Sequence, residues 1–241
     1  MDLRIYKDRQ EVAEQFSAYF VEKANTGKVF HVALSGGSTP KIVFDVLTEH
    51  FSDKVDWNKV HFYWGDERCV PPTDDESNYK MTMEHLFSKI EVPEANIHRI
   101  RGEEEPKTEA ICYANLLEIN LDEIEGTPQF DLVILGMGDD GHTASIFPHQ
   151  INLWNVEDHC VVATHPDSGQ NRVSINGKVI NTAKEVAFLV TGASKAEKVK
   201  AVVEKTEGSK DYPAALVDPK SGNLVWFLDK DAAADLNPNP S

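Results

Sequence analysis

Cysteine is scarce in this sequence of 241 residues. Cys69, Cys112 and Cys160 are the only three, an odd number with no CxxC pair among them, which excludes a disulfide framework and a cysteine-built zinc site. No stretch approaches the roughly 18 consecutive apolar residues of a membrane helix. The opening residues, Met1-Asp2-Leu3-Arg4-Ile5, lack the apolar core of a secretory signal, so the expected location is the cytoplasm. Positive charge is also in short supply: 24 Lys and Arg against 40 Asp and Glu give a formal net charge of −16. Nucleic acid and anionic membrane are bound through clustered Lys and Arg, so neither is an expected partner. Small anions stay open, because net charge sets a mean field and not the potential inside one cleft. What the chain does carry is ordinary globular material, 41% hydrophobic and 27% charged, enough to bury a sizeable core.

Apolar runs alternate with amphipathic segments. Strands are expected at 3–6, 29–34, 60–64, 97–100, 131–135, 160–164, 186–191 and 224–228, and helices at 9–24, 40–49, 77–89, 106–121, 177–183 and 195–205. The runs at 29–34 and 132–135 lack strict alternation, as central strands covered on both faces do. This order predicts an α/β fold with a Rossmann-like, mostly parallel sheet and helices on both faces. One domain is expected over residues 1–230, followed by a frayed, flexible tail at 231–241. Ligands of such sheets collect beyond the carboxyl ends of the strands, so the loops there are where chemistry is expected.

Three such loops stand out. Ser35-Gly36-Gly37-Ser38-Thr39-Pro40 joins a strand to a helix; its glycines allow a tight turn, Ser38 or Thr39 can cap the helix, and free N–H groups there suit an anion. The same pattern also serves as a simple capped turn, and it contains neither GxGxxG nor a Walker lysine. Gly65-Asp66-Glu67-Arg68 places two carboxylates and a guanidinium at a strand end. As a run it reads most often as surface ion pairing, yet Arg68 suits bidentate phosphate recognition and Asp66 a substrate hydroxyl. Gly136-Met137-Gly138-Asp139-Asp140-Gly141-His142 follows the most apolar strand and places His142 at the expected start of the next helix. Histidine exchanges protons near neutrality, which makes His142 the candidate general base, with Asp140 beside it. Arg172 and Lys195 are two further cations near strand ends, each alone more often a plain surface charge.

These blocks, together with Ser77-Asn78-Tyr79, Thr143-Ala144-Ser145-Ile146-Phe147-Pro148 and Arg172-Val173-Ser174, resemble the group that unites 6-phosphogluconolactonases with glucosamine-6-phosphate deaminases. The resemblance runs from about Ile5 to Leu228. It implies the sugar-phosphate isomerase/lactonase type of fold. Two positions favour the lactonase branch: Arg68 stands where deaminases typically have tyrosine, and Phe147 where they have the glutamate that assists ring opening. The implied activity is hydrolysis of 6-phospho-D-glucono-1,5-lactone, the second step of the oxidative pentose phosphate pathway, with no cofactor or metal. The implied partner is a phosphorylated sugar lactone; a homo-oligomer is left open. Many lactonases carry a Pro-Lys-Pro-Pro-like stretch where this chain has Pro166-Asp167-Ser168-Gly169-Gln170-Asn171, so Arg68, Arg172 and Lys195 are left to hold the phosphate. The expected site is thus His142 and Asp140 for catalysis, with Gly36, Gly37, Ser38, Thr39, Asp66, Arg68, Arg172 and Lys195 for substrate. Ser145 is a weaker candidate nucleophile, since no G-x-S-x-G elbow surrounds it. The acidic 72–77 segment is a candidate lid. The competing readings are a deaminase-like isomerase and a noncatalytic sugar-phosphate-binding protein.

Overall fold

Unbroken apolar strands need cover on both faces, and the chain supplies it by alternating them with helices. In the computed structural model, which describes residues 1–237, β1 (Asp2–Tyr6) is followed by α1 (Arg9–Ala24), β2 (Phe30–Leu34) and α2 (Ser38–His50). β3 (Val60–Trp64) runs through Gly65 into β4 (Asp66–Arg68), after which α3 (Asn78–Thr82) continues as a π-helical turn, Met83–Phe87. Next come α4 (Pro106–Asn120), a small hairpin of β5 (Glu123–Ile124) and β6 (Thr127–Pro128), and β7 (Leu132–Leu135). The last third holds β8 (Cys160–Thr164), β9 (Asn171–Ile175), α5 (Gly177–Thr182), β10 (Val186–Val190), α6 (Ala196–Val203) and β11 (Leu224–Asp229).

Six strands form one parallel sheet in the order β1-β11-β10-β7-β2-β3. Its central members, β7 and β10, are buried at every residue, which explains their unbroken apolar sequence. The helices start where local chemistry lets them. Asp8 accepts the Glu11 N–H at 3.0 Å to cap α1, and Glu105 accepts the N–H groups of Lys107 and Thr108 ahead of Pro106 to cap α4. A second, antiparallel sheet of order β4-β9-β8 stands against the first, with Gly65 hydrogen-bonded to both: its N–H donates to Leu34 O at 2.9 Å, and its carbonyl accepts from Ile175 N at 2.8 Å.

Four expectations are corrected. Residues 97–100 are no strand: Ile97 makes one bridge to Phe62, the His98 N–H donates to Phe62 O at 2.8 Å, and the pairing goes no further. Arg172 lies on a strand rather than in a loop. His142 does not start a helix, because Gly141 (φ 84°) and Ala144 (φ 47°) turn the chain through left-handed conformations on either side of it. The stretch 231–237 is a packed turn and not a frayed tail. There Ala232 is buried, its N–H donates to Asp229, and Asn237 donates twice to the Glu204 carboxylate. The rest of the expected tail, 238–241, lies outside the described residues.

Candidate active site

The carboxyl ends of β2, β3, β7 and β10 open on one side of the large sheet, and the small sheet closes over them. Between them lies a cavity of about 230 Å³ lined by Ser35, Gly36, Gly37, Asp66, Arg68, Asn78, Gly136, Met137, Gly138, His142, Ala144, Arg172 and Lys195. Most of the residues singled out from sequence therefore meet in one place, although they come from segments as far apart in the chain as Ser35 and Lys195.

The loop after β7 builds its own frame. Gly138 N–H donates to His142 O at 2.9 Å, and the Thr143 hydroxyl donates back to Gly136 O at 2.8 Å. Within that ring Asp140 Oδ1 lies 2.6 Å from His142 Nδ1 and also accepts the His142 N–H at 3.1 Å. Burial alone raises the pKa of Asp140, but the hydrogen bond and charge of His142 outweigh it and bring it down to about 2. The carboxylate is thus ionised at any working pH and fixes the imidazole through Nδ1, leaving Nε2 as the free ring nitrogen. Only glycine fits at 138, because a Cβ there would overlap His142 Nδ1 and Asp140 Oδ1. Phe147 is fully buried behind the histidine, its ring centroid 4.7 Å from that of His142.

The small sheet brings two arginines together. In the antiparallel pairing of β4 with β9, Arg68 sits directly opposite Arg172. Arg68 Nη1 donates to Glu76 O at 2.5 Å, and the Arg172 guanidinium lies 5.7 Å from the Phe147 centroid. Among the described residues the buried Nε atoms of both arginines have no hydrogen-bond partner. Burial first, then the charge of Arg68, push the pKa of Arg172 down. Lys195 arrives from the loop after β10 and pairs with Asp139 at 2.6 Å. Opposed like charges and unpaired donors are what an anion would satisfy.

Several side chains stand differently from expectation. Neither Ser38 nor Thr39 caps α2: the helix begins at Ser38, Gly37 (φ 109°) occupies the cap position, and no side chain bonds the first turn. The Thr39 hydroxyl instead pairs with Thr191 at 2.8 Å, buried away from the cavity. Ser38 lines an adjoining cavity of about 290 Å³ that shares Gly37, Arg68 and Asn78 with the first. Glu67, next to Asp66, is committed to structure. Its buried carboxylate accepts from Arg68 N, Asn78 N, Tyr79 N and Ser77 Oγ, and burial pushes its pKa up. The 72–77 segment is tied down at Glu76, whose carbonyl holds Arg68 and whose carboxylate accepts from Gln170 Nε2 at 2.9 Å. Ser35, Asn78, Gly136, Met137, Gly138 and Ala144 also line the cavity; none was singled out as a site residue, although all stand in the motif blocks quoted above. Asn78 Nδ2 donates to Asp66 O at 2.9 Å.

Comparison with known proteins agrees with this geometry. Residues 7–226 match the family model described as glucosamine-6-phosphate isomerases/6-phosphogluconolactonase. A 6-phosphogluconolactonase of Aggregatibacter actinomycetemcomitans is 42% identical over 234 residues, 97% of this chain and 99% of that protein. One from Haemophilus influenzae is 43% identical over 224 residues, 92% and 94% of the two chains. The solved structure of 6-phosphogluconolactonase from Trypanosoma brucei superposes with a TM-score of 0.88 at 28% identity, covering 98% of each chain. By sequence and by fold, the chain belongs to the glucosamine-6-phosphate isomerase/6-phosphogluconolactonase family.

Proposed function

We propose that the protein hydrolyses 6-phospho-D-glucono-1,5-lactone to 6-phosphogluconate, in the cytoplasm and as a step of the oxidative pentose phosphate pathway, a reading supported by relatives named 6-phosphogluconolactonase. The observation that carries the reading is the carboxylate-held imidazole of His142 sharing one cavity with Arg68, Arg172 and Lys195. Arg68 and Arg172 take the phosphate, with Lys195 at the rim. Asp66 takes a ring hydroxyl. Neutral His142 accepts a proton at Nε2 from a water molecule as its oxygen adds to the lactone C1. Backbone N–H groups of the glycine loops after β2 and β7 hold the resulting oxyanion. The C1 to ring-oxygen bond then breaks, and the imidazolium returns its proton to that oxygen. The product is a single opened hydroxy acid, 6-phosphogluconic acid, whose new carboxyl group ionises to solvent.

The deaminase reading requires a carboxylate where this chain has Phe147, and that side chain is buried between His142 and Arg172. A noncatalytic binding role leaves the Asp140–His142 pair without a purpose. Covalent catalysis by Ser145 is disfavoured because its hydroxyl is fully buried and donates to Asp66. The test is a coupled assay on freshly generated lactone. The protein is expected to consume it well above the spontaneous rate, and His142→Ala to lose about 10²- to 10⁴-fold in kcat. No acceleration by the wild type refutes the activity; undiminished turnover by His142→Ala refutes the base.

A further inference from the structure

Asp66 and Glu67 are neighbours in sequence, both nearly fully buried, and they are provisioned very differently. Glu67 accepts four hydrogen bonds, from three backbone N–H groups and the Ser77 hydroxyl. The Asp66 carboxylate, 6% exposed, accepts one among the described residues: the Ser145 hydroxyl donates to Oδ2 at 2.6 Å. A buried carboxylate is stable only when its remaining lone pairs find partners. Asp66 lines the cavity, so the partner for Oδ1 comes from whatever occupies it.

Ser145 is itself held on both sides. It is fully buried, and its N–H donates to Ser174 Oγ at 3.1 Å. The single proton of Ser174 goes to Ile175 O at 3.0 Å, which leaves the Ser174 lone pair for Ser145. Ser174 lies directly across the β4–β9 ladder from Asp66. Three segments are therefore linked by a run of hydrogen bonds that ends with the Ser145 hydroxyl donating to Asp66 Oδ2. A carboxylate pinned by one oxygen cannot rotate, and its second oxygen then presents lone pairs in one direction.

We propose that Ser145 is a positioning residue for substrate selection: by holding Asp66 Oδ2 it aims Oδ1 at one ring hydroxyl of the sugar lactone. The assignment rests on the lactonase reading above. It gives Ser145 a role without a covalent step, and it makes the enzyme's preference for a hydroxylated ring depend on a side chain that never touches substrate.

The test compares the parent 6-phospho-lactone with its 2-, 3- and 4-deoxy analogues, each made enzymatically or chemically and assayed fresh, for the wild type, Ser145→Ala and Asp66→Asn. The wild type is expected to discriminate against one deoxy analogue. Ser145→Ala should lose about 10-fold or more in kcat/KM on the parent, the scale of one hydrogen bond to a charged acceptor, and under about threefold on that one analogue. Asp66→Asn, which keeps the side chain's volume, should show the same selective loss, and it carries the test should Ser145→Ala not fold. An equal loss on all four substrates, as a missing nucleophile or a general disturbance would give, overturns the proposal while leaving the lactonase activity standing. A wild type that accelerates none of the four removes the activity and the proposal together.

Discussion

Replacing Arg172 with methionine is expected to stabilise the free protein and to weaken its hold on phosphate. Arg172 faces Arg68 across the β4–β9 ladder, and its buried Nε has no partner among the described residues. Like charges directly opposed across strands cost up to about 1 kcal/mol, and an unsatisfied buried donor costs about 1–3 kcal/mol. The guanidinium recovers about 0.5–2 kcal/mol from the face of Phe147. Methionine keeps most of the length and a soft contact with that ring while removing charge and donors. The balance favours the variant by about 1 kcal/mol, which for a chain of this size raises the melting midpoint by roughly 2–4 °C. The ligand moves the opposite way. At about 100 times its Kd, 6-phosphogluconate adds about 2.7 kcal/mol to the wild type, and most of that increment should vanish in the variant. Melting curves with and without 6-phosphogluconate read both effects. A variant that melts below the wild type without ligand, yet keeps the ligand-induced rise, would show that Arg172 is a structural residue and refute the reasoning.

Gly138→Ala places a methyl group where His142 Nδ1 and Asp140 Oδ1 now lie; steady-state kinetics should show kcat down about 10²-fold, the effect of a misplaced catalytic group, and the melting midpoint should fall as the bonded pair is displaced. Glu67→Gln turns an amide NH₂ toward two of the four donors, since each carboxylate oxygen accepts from two, so denaturant unfolding should register a loss of about 1–3 kcal/mol. His31, His61 and His98 cluster beside Tyr63 on the β2–β3 face, with Asp131, Asp122 and Lys184 near His31. Burial lowers the pKa of all three, that of His98 to about 4. The unfolded chain then binds protons more readily than the folded one, so stability falls as pH drops from about 6.5 towards 4, by on the order of 2 kcal/mol for His98 at pH 5. Urea midpoints at pH 7.5 and 5 should differ accordingly, and His98→Gln should flatten the dependence; a midpoint unchanged with pH would contradict the sign.

The large sheet was legible because its strands announce themselves: Leu132–Leu135 and Val186–Val190 are apolar throughout, which only a doubly covered strand tolerates. The small sheet was not. Asn171–Ile175 opens on two polar residues and alternates only over Arg172-Val173-Ser174-Ile175 beside a turn, too short a pattern to separate from loop. The 97–100 run looked like a strand because it is apolar at both ends, but its pairing with β3 stops after a single bridge at Ile97. The glycine loops and the meeting of His142, Asp140, Arg68 and Arg172 followed from motif and strand-end position. Contacts such as Ser145 to Asp66, 79 residues apart, depend on the register of β4 with β9 and have no local signature. For the same reason Thr39 gave a false lead: its cap-like position could not reveal that Thr191 would claim the hydroxyl.

Gly65 carries a last consequence. At this single residue the chain passes from the parallel sheet, whose β7 loop holds the imidazole, to the antiparallel one, which holds the paired guanidinia. The two sheets are also tied together beside the cavity: Ser145 of the β7 loop bonds Asp66 and Ser174 of the small sheet, and Phe147 packs against both His142 and Arg172. A substitution within the β8–β9 hairpin therefore reaches the imidazole as well as the guanidinia. In this architecture a change in one sheet has to be accommodated by the other.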